Sequence, residues 1–366
     1  MTGLYIHVPF CVSKCPYCDF YSLPLPDDTV LDAYADAVCR RLEVLPAVKA
    51  DTLYFGGGTP SLLGGKRIAR LINAAAPFLT TETEITMEAN PAESLYDTVA
   101  AFAAVGGNRL SLGMQAANDA ALCALGRRHT TALLDNAVRD AHRAGIDNLS
   151  LDIMLGTPHQ TRDDVKGAVA ACVAYDAAHV SAYMLKLEPG TPFAACADTL
   201  ALPDEDETVE LYLDPVGKLS EAGYAQYEIS NFARTGRESR HNLRYWQGRP
   251  YLGLGLAAHS DFGGRRFAAG RDMAAYLRGD WIEESAGIGA EERREEYVML
   301  RLRLNEGIDV ADYAARFGRD FYGDFENALA PYRRAGLLRE AGGRVALTPS
   351  GMLLSNSVLA DMLGNG

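Results

Sequence analysis

Three cysteines lie close together near the start of the chain, in the stretch IHVPFCVSKCPYCDF at residues 6–20. Cys11, Cys15 and Cys18 at this spacing can each bind one iron of a four-iron cluster. The fourth iron then lacks a protein ligand, so a small molecule can chelate it directly and be reduced there. The spacing therefore predicts a [4Fe–4S] cluster that is a chemical site rather than only an electron store.

Two other interpretations of these cysteines are open. A zinc site needs a fourth Cys or His at suitable spacing, and the nearby candidate is His7, which falls in an apparent strand. Close cysteines also occur simply as small buried residues. The other four cysteines lie singly and are interpreted as packing residues: Cys39, Cys123, Cys172 and Cys196.

Composition places limits on the class of protein. The 366 residues are 48% hydrophobic, which predicts a well-packed core and about two domains. The cysteine count of seven is odd, the start Met1-Thr2-Gly3-Leu4 does not resemble a signal peptide, and no apolar run is long enough to span a bilayer. We therefore expect a cytoplasmic protein with reduced thiols. The net charge of −13 disfavours unspecific attraction to nucleic acid or anionic lipid.

Short β-rich runs alternate with helical patterns over the first half of the chain. A typical helix follows Asp27 and Asp28, with apolar residues from Leu31 to Leu42 on one face, and ends before Pro46. Repeated strand and helix units predict an α/β fold with a parallel sheet, either a curved, incomplete barrel or a doubly wound open sheet. Six strands are predicted: Leu4–Val8, Thr52–Phe55, Glu84–Ala89, Arg109–Leu112, Asn148–Met154 and His179–Met184.

The last part of the chain has a different character. Helices are predicted over 294–302, 310–317 and 321–335, and two short strands over 337–339 and 345–348 suggest a hairpin. This pattern indicates a small winged-helix-like α+β domain over 291–366. Because the domain lacks a basic face, a lid or a protein-docking surface is favoured over DNA binding. Residues 1–235 are predicted to form the core and 236–290 a linker that completes it.

Glycines and polar residues follow the predicted strands. The turn Gly56-Gly57-Gly58-Thr59-Pro60 comes after the second strand, and its glycines allow close approach to a ligand. The next three strands end at or near the polar residues Glu88, Gln115 and Asp152, which are candidate ligand contacts or simply loop caps. The guanidinium of Arg127 offers a planar fork to a carboxylate.

Together these segments resemble the radical S-adenosylmethionine (radical SAM) superfamily, and over nearly the whole chain the family of oxygen-independent coproporphyrinogen III oxidase and its relatives. The resemblance implies a partial (βα)6 TIM-like barrel, a [4Fe–4S] cluster held by the three close cysteines, and bound SAM. It also implies a set of residues that surround SAM: Tyr5, Gly57, Gly58, Thr59, Glu88, Gln115, Arg127 and Asp152.

Within that family the chain resembles the HemW branch, the haem chaperones, rather than the decarboxylating oxidases. The oxidases carry a further Cys where this chain has Phe20, and an extension before the first strand, which is expected here at about Leu4. The mark of the HemW branch, His-Asn-x-x-Tyr-Trp, occurs at residues 241–246, and the segment YEISNFA at 227–233 precedes it.

The motif has side chains suited to haem. Imidazole is a common axial ligand of haem iron, and Tyr245 and Trp246 offer flat apolar faces to a macrocycle. His241 is therefore a candidate haem ligand; the alternative is a buried histidine that packs a loop onto the barrel. Four arginines near the motif are candidates for the haem propionates: Arg237, Arg240, Arg244 and Arg249. The Gly-spaced segment 251–260 is expected to pack beside a cofactor.

The resemblance implies a haem-trafficking protein with haem as cargo and with acceptor haemoproteins, such as respiratory-chain enzymes, as partners. It also leaves room for a homodimer and for peripheral membrane contact through a partner, without requiring SAM cleavage. The first alternative is the oxidative decarboxylation of coproporphyrinogen III by a SAM-derived radical, against which Phe20 and the missing extension speak. The second, radical modification of another substrate such as RNA, lacks a basic stripe in the sequence.

Overall fold

A computed structural model describes residues 1–92, 94–282 and 284–364. Its strands are β1 (Thr2–Val8), β2 (Phe10–Cys11), β3 (Leu23–Pro24), β4 (Ala50–Gly57), β5 (Leu79–Ala89), β6 (Arg109–Gln115), β7 (Leu149–Leu155), β8 (His179–Met184), β9 (Ala225–Gln226), β10 (Asn231–Ala233), β11 (Tyr251–Leu254), β12 (His259–Phe262), β13 (Arg265–Ala268), β14 (Glu284–Gly287), β15 (Ile308–Asp309), β16 (Leu338–Ala341) and β17 (Arg344–Leu347).

The α-helices are α1 (Asp28–Glu43), α2 (Gly64–Ala75), α3 (Tyr96–Ala104), α4 (Asp119–Ala124), α5 (Thr131–Arg143), α6 (Arg162–Ala174), α7 (Pro192–Ala195), α8 (Glu205–Glu221), α9 (Arg240–Trp246), α10 (Met273–Arg278), α11 (Ala290–Arg301), α12 (Val310–Phe317), α13 (Phe321–Arg334), α14 (Pro349–Leu353) and α15 (Ser355–Leu363). Helix α1 begins where the sequence indicates, because Asp27 accepts a hydrogen bond from the Val30 amide as N-cap.

The six predicted strands are adjacent and parallel in one sheet, in the order β1-β4-β5-β6-β7-β8. The predicted α/β class is confirmed. The structure adds strands at both sides of this series: β11 pairs parallel with β1 and leads to β12, β13 and β14, while β10 and β9 follow β8. Within the described part of the chain, the order ends at β14 and β9, so the sheet is open.

The residues that alternate along the parallel strands separate by polarity. Leu110 and Leu112 of β6, and Leu151 and Ile153 of β7, belong to the apolar core that the strands share with the surrounding helices. The residues between them are polar and bond across the other face, as Ser111 does with Asp152. Since successive side chains point to opposite faces of a strand, this period of two produces a polar interior lined by the strands.

The segment 236–290 is more than a linker. It forms α9, α10 and the four strands β11 to β14, and β11 lies beside β1 in register, with Gly253 opposite Tyr5. The Gly-spaced segment that was expected beside a cofactor is therefore largely a strand of the sheet.

The predicted order of helices and hairpin in the last part of the chain is confirmed. Helices α12 and α13 precede the antiparallel pair β16 and β17, and β15 adds a third strand. This domain contacts the core through main-chain bonds, since the Ile229 amide donates to the Arg303 carbonyl at 2.9 Å. Ion pairs between Arg293 and Asp261 and between Arg266 and Glu296 add to the contact. Of the described helices, none has the length and apolar character needed to cross a bilayer.

Candidate functional site

A cavity of about 410 Å³ lies at the carboxyl ends of the parallel strands. This is the edge of a parallel barrel where loops converge on ligands. Ten of the predicted site residues line it: Cys11, Cys15, Cys18, Gly57, Gly58, Thr59, Glu88, Gln115, Arg127 and Asp152. The other two, Tyr5 and His241, are not among its lining residues.

Cys11 ends the short strand β2, and Cys15 and Cys18 lie on the loop that follows it; we call residues 11–18 the cysteine loop. The Cys18 amide donates to the Cys15 carbonyl at 3.1 Å, which turns the loop back on itself. The Cys11 sulfur lies 3.7 Å from the Thr59 hydroxyl, and the Cys15 sulfur lies 3.5 Å from Nη1 of Arg127. All three thiols are free of disulfides. The loop therefore presents three sulfurs to the same cavity.

His7 is occupied elsewhere. Its Nδ1 bonds the Tyr5 hydroxyl and its Nε2 donates to the Tyr21 carbonyl, both at 3.0 Å. Because both ring nitrogens have partners, the structure does not favour His7 as the fourth ligand of a zinc site.

The glycine turn packs tightly against the cysteine loop. The Gly58 amide donates to the Val8 carbonyl and the Thr59 amide to the Phe10 carbonyl, both at 2.8 Å. Gly57 has φ +113°, which L side chains rarely adopt, and a Cβ at Gly58 would lie 2.6 Å from the Phe10 carbonyl oxygen. The glycines are required by the backbone contact that joins the turn to the cysteine loop.

Glu88 is one of the carboxyl groups that line the cavity. It accepts from the Tyr54 hydroxyl at 2.7 Å and from the Gly57 amide at 3.2 Å. Withdrawal from solvent raises the pKa of Glu88 to about 7; the Tyr54 and Gly57 bonds oppose this shift, and the nearby Asp152 adds to it. A carboxylate held in this way suits a cationic group, whose charge would offset the cost of burial.

Asp152 is the second carboxyl group of the cavity. Burial raises its pKa to about 6, against hydrogen bonds from Ser181 and Ser111 and the positive charge of Arg109. Its Oδ1 accepts from the Ser111 hydroxyl at 3.2 Å. The Asp152 oxygens are suited to accept hydrogen bonds from hydroxyl groups of a ligand.

Arg127 joins the cysteine loop to the strand ends. Its Nη2 donates to the Gly113 carbonyl at 3.0 Å and to the Asn90 side chain, and its Nη1 faces Cys15 and Tyr17. Nearby, Gln115 has φ +65° at a register shift between β6 and β7. Backbone of this kind is uncommon for a residue with a side chain and occurs often at ligand sites.

Comparison with known proteins agrees with this geometry. Residues 5–172 match the radical SAM superfamily, and residues 288–354 match the HemN C-terminal domain. A protein of Bacillus subtilis named heme chaperone HemW is 33% identical over 100% of both chains. A protein of the same name from Escherichia coli is 33% identical over 98% of this chain and 97% of its own, and one from Mycobacterium tuberculosis is 37% identical over 99% and 95%.

The chain belongs to the HemW family. Among solved structures, it is similar to the coproporphyrinogen III oxidase of Escherichia coli, a radical SAM enzyme, with a TM-score of 0.83, 21% identity, and coverage of 99% of this chain and 89% of that one. That likeness shows a common fold.

The cavity fits the two groups that the match to the radical SAM superfamily implies. Three free thiols on one loop provide the ligand set of an open four-iron cluster. Beside them are a glycine turn, the Glu88 carboxyl group, whose pKa is raised by burial, and an arginine. Cys11, Cys15 and Cys18 would hold the cluster, and Glu88, Gln115, Arg127 and Asp152 would surround SAM.

The motif that marks the HemW family lies away from this cavity. His241 is fully buried, its Nδ1 bonds the Thr52 hydroxyl and its Nε2 bonds the Tyr245 hydroxyl, both at 2.8 Å. No ring nitrogen is left for iron, and burial lowers the pKa of His241 to about 3. These hydrogen bonds favour the packing alternative over a haem ligand at this position.

Neighbouring side chains of the motif are engaged in the same way. Arg244 is buried, pairs with Asp51 and donates to the Met1 and Pro250 carbonyls, so it is not free to meet a propionate. Trp246 donates to the buried Glu228 of the preceding YEISNFA segment. The motif and the segment that precedes it thus contact each other. Of the other three arginines, Arg237, Arg240 and Arg249 are exposed.

Three side chains at the site were missed by sequence analysis. Tyr54 holds Glu88, Ser111 holds Asp152, and Asn90 donates to the Thr59 hydroxyl at 2.9 Å while accepting from Arg127. Their signal is the alternation of polar residues on strands, since Asn90 lies two positions after Glu88 and Ser111 alternates with leucines.

Proposed function

We propose that this chain is a haem chaperone that binds haem and passes it to acceptor haemoproteins, on a radical SAM scaffold carrying a [4Fe–4S] cluster and SAM. Full-length similarity to proteins named heme chaperone HemW supports the haem part of the proposal. The observation that carries the scaffold part is the single cavity in which Cys11, Cys15 and Cys18 meet Glu88 and Arg127. A bound cluster would supply electrons and an iron that a small molecule can chelate.

The residues of the cavity have separate roles in this proposal. The cysteine thiolates hold the cluster, Glu88 meets the cationic amino group of SAM, Arg127 meets its carboxylate, and Asp152 meets ribose hydroxyls. Gly57, Gly58 and Thr59 provide close backbone contact. Tyr5 stacks on Tyr54, with the ring centroids 6.1 Å apart, and so supports the residue that bonds Glu88. SAM cleavage is not required for haem transfer.

The proposal extends to location and partners. All seven cysteines are unpaired, which is usual in a reducing compartment, so we place the protein in the cytoplasm. Its partners are acceptor haemoproteins such as respiratory-chain enzymes, reached at a membrane through the partner, and a second copy of the chain in a homodimer. Nucleic acid is not among them, since the net charge is −13.

The second candidate is coproporphyrinogen III decarboxylation, favoured by the likeness in fold to the Escherichia coli oxidase. Phe20 speaks against it. This side chain lines the cavity and is 62% exposed, at the position where the resemblance places a further cysteine in the oxidases.

One experiment separates the two functions. The cluster is reconstituted anaerobically, haem is titrated with and without SAM while absorbance is followed, and the same sample is assayed for coproporphyrinogen decarboxylation. We expect saturable, stoichiometric haem binding without decarboxylation. Product formation without specific haem binding would assign the oxidase function instead.

A further inference from the structure

Helix α9, which carries the His-Asn-x-x-Tyr-Trp motif, closes the base of the polar interior. Ser239 caps it, accepting from the Asn242 amide, and the Glu84 carboxylate of β5 accepts from the Arg240 and His241 amides, both at 3.2 Å. The same strand carries Glu88 four residues further on. The motif is thus attached to a strand that reaches the cavity.

His241 lies against the aromatic residues of the interior. Its ring is nearly parallel to that of Tyr54, with centroids 5.0 Å apart and an interplanar angle of 24°, and it lies 6.1 Å from the Tyr5 ring. Bonds to Thr52 and Tyr245 on opposite sides fix the plane of the imidazole. A fixed imidazole plane limits the positions open to the stacked Tyr54 ring.

Tyr54 connects this stack to the cavity. Its ring contacts His241 and its hydroxyl donates to Oε1 of Glu88 at 2.7 Å. A glutamate side chain has several rotatable bonds, so a bond from a fixed donor selects one of its orientations. The orientation of Glu88 therefore depends on the position of the Tyr54 ring.

We propose that His241 is a positioning residue for the SAM cavity: it holds the ring of Tyr54, whose hydroxyl orients Glu88 toward the cationic amino group of SAM. This inference rests on the proposed SAM site. It assigns the His-Asn-x-x-Tyr-Trp motif a role in cofactor binding at a distance, through Tyr54.

The influence of His241 is steric rather than electrostatic. Burial and the positive charge of Arg244 keep the imidazole neutral at physiological pH. His241 thus adds no charge near Glu88, and removing its ring should affect the cavity by releasing Tyr54. The aromatic ring of a phenylalanine at this position would keep much of the stacking contact.

The test compares four variants with the parental protein. Tyr54→Phe removes only the hydroxyl, His241→Ala removes the stacked ring, His241→Phe retains a ring, and Gln247→Ala is the control at the C-cap of the same helix. The SAM dissociation constant of the cluster-loaded protein is measured by calorimetry. We expect Tyr54→Phe and His241→Ala each to weaken binding by about tenfold, the loss typical of a hydrogen bond to a charged group.

A double variant shows whether the effects of His241 and Tyr54 on SAM binding are coupled. If His241 acts through Tyr54, the double variant His241→Ala, Tyr54→Phe binds SAM no more weakly than Tyr54→Phe alone. Additive losses, or an unchanged dissociation constant in His241→Ala, would overturn the proposal. We expect His241→Phe to bind within about threefold of the parental protein and Gln247→Ala to match it. If His241→Phe loses as much affinity as His241→Ala, stacking is not the cause.

A second readout does not depend on SAM. The hydroxyl of Tyr54 lowers the pKa of Glu88, so Tyr54→Phe and His241→Ala should both raise that pKa in the cluster-free protein, as followed by carbon-13 NMR of the carboxyl group. An unchanged Glu88 pKa in His241→Ala would reject the positioning role even if SAM binds. Failure of the parental protein to bind SAM would instead reject the proposed cofactor, and the NMR comparison would still decide the role of His241.

Discussion

At the scale of single residues, the cluster ligands are the simplest to test. Cys11→Ala, Cys15→Ala and Cys18→Ala should each abolish the absorbance of a reconstituted four-iron cluster, because each thiol would bind one iron. Cys123→Ala is a matched control, since this exposed cysteine lies on α4 away from the cavity. Full cluster absorbance and iron content in all three cavity variants would contradict the assignment.

Glu88 should make SAM binding depend on pH. Its pKa is raised to about 7 by burial, and only the ionised form attracts the amino group of SAM. Below the pKa, affinity should fall by about tenfold for each pH unit as the carboxylate takes up a proton. Calorimetry at pH 6, 7 and 8 on the parental protein and Glu88→Gln measures this, and an equal pH dependence in both proteins would exclude Glu88 as its source.

The same residues show what sequence can predict about a site. Ten of the residues that line the cavity were predicted, the three cysteines from their spacing and the other seven from local motifs together with the family resemblance. His241 is a candidate haem ligand on its chemistry and its motif alone, and its hydrogen bond to Thr52, 189 positions away in the chain, could not be predicted from either. Burial and hydrogen bonding across that separation are not present in any short motif.

At the scale of elements, the turn after β4 makes a prediction about stability. A methyl group at Gly58 would meet backbone atoms of Phe10, which cannot move aside as a flexible side chain would. Gly58→Ala should therefore lower the free energy of unfolding by about 2 kcal/mol. Gly167→Ala, inside α6 with nothing within 4 Å of the added atom, should instead raise it by up to about 1 kcal/mol. Urea unfolding compares the two, and similar effects would show that the turn is not tightly packed.

Strands and helices with strong periodicity were predicted closely. Strand β8 and helix α12 have the predicted bounds, His179–Met184 and Val310–Phe317. Strand β11 was not predicted as a strand, because its residues Tyr251–Leu254 include a glycine and precede a glycine-rich stretch. Its place beside β1 is determined by long-range pairing rather than by local preference.

At the scale of the whole molecule, the join between the core and the last domain carries a buried acid. Glu228 is fully buried, accepts from the Ser230 amide at 2.8 Å, and has its pKa raised to about 7 by burial. A carboxyl group whose pKa is higher in the folded than in the unfolded state stabilises the fold while protonated, and this stability is lost as the pH rises through about 7.

The free energy of unfolding of the cluster-free protein should therefore fall between pH 6 and pH 8, with about 1 kcal/mol of the change due to Glu228. In Glu228→Gln this part of the pH dependence should disappear. Urea unfolding at both pH values provides the measurement. An unchanged pH dependence in the variant would mean that Glu228 ionises in the folded protein as readily as in the unfolded chain.

The closed base of the polar interior also has a kinetic consequence. His241, Tyr54 and Glu84 are buried, whereas Phe20 lines the same cavity as Glu88 and is exposed, so Phe20 marks a side of the cavity that is open to solvent, its mouth. If a second ligand covered Phe20, a ligand that contacts Glu88 would have to enter before it. Arrival and departure would follow a fixed order, first in and last out, so a macrocycle bound at the mouth would slow both the entry and the escape of SAM.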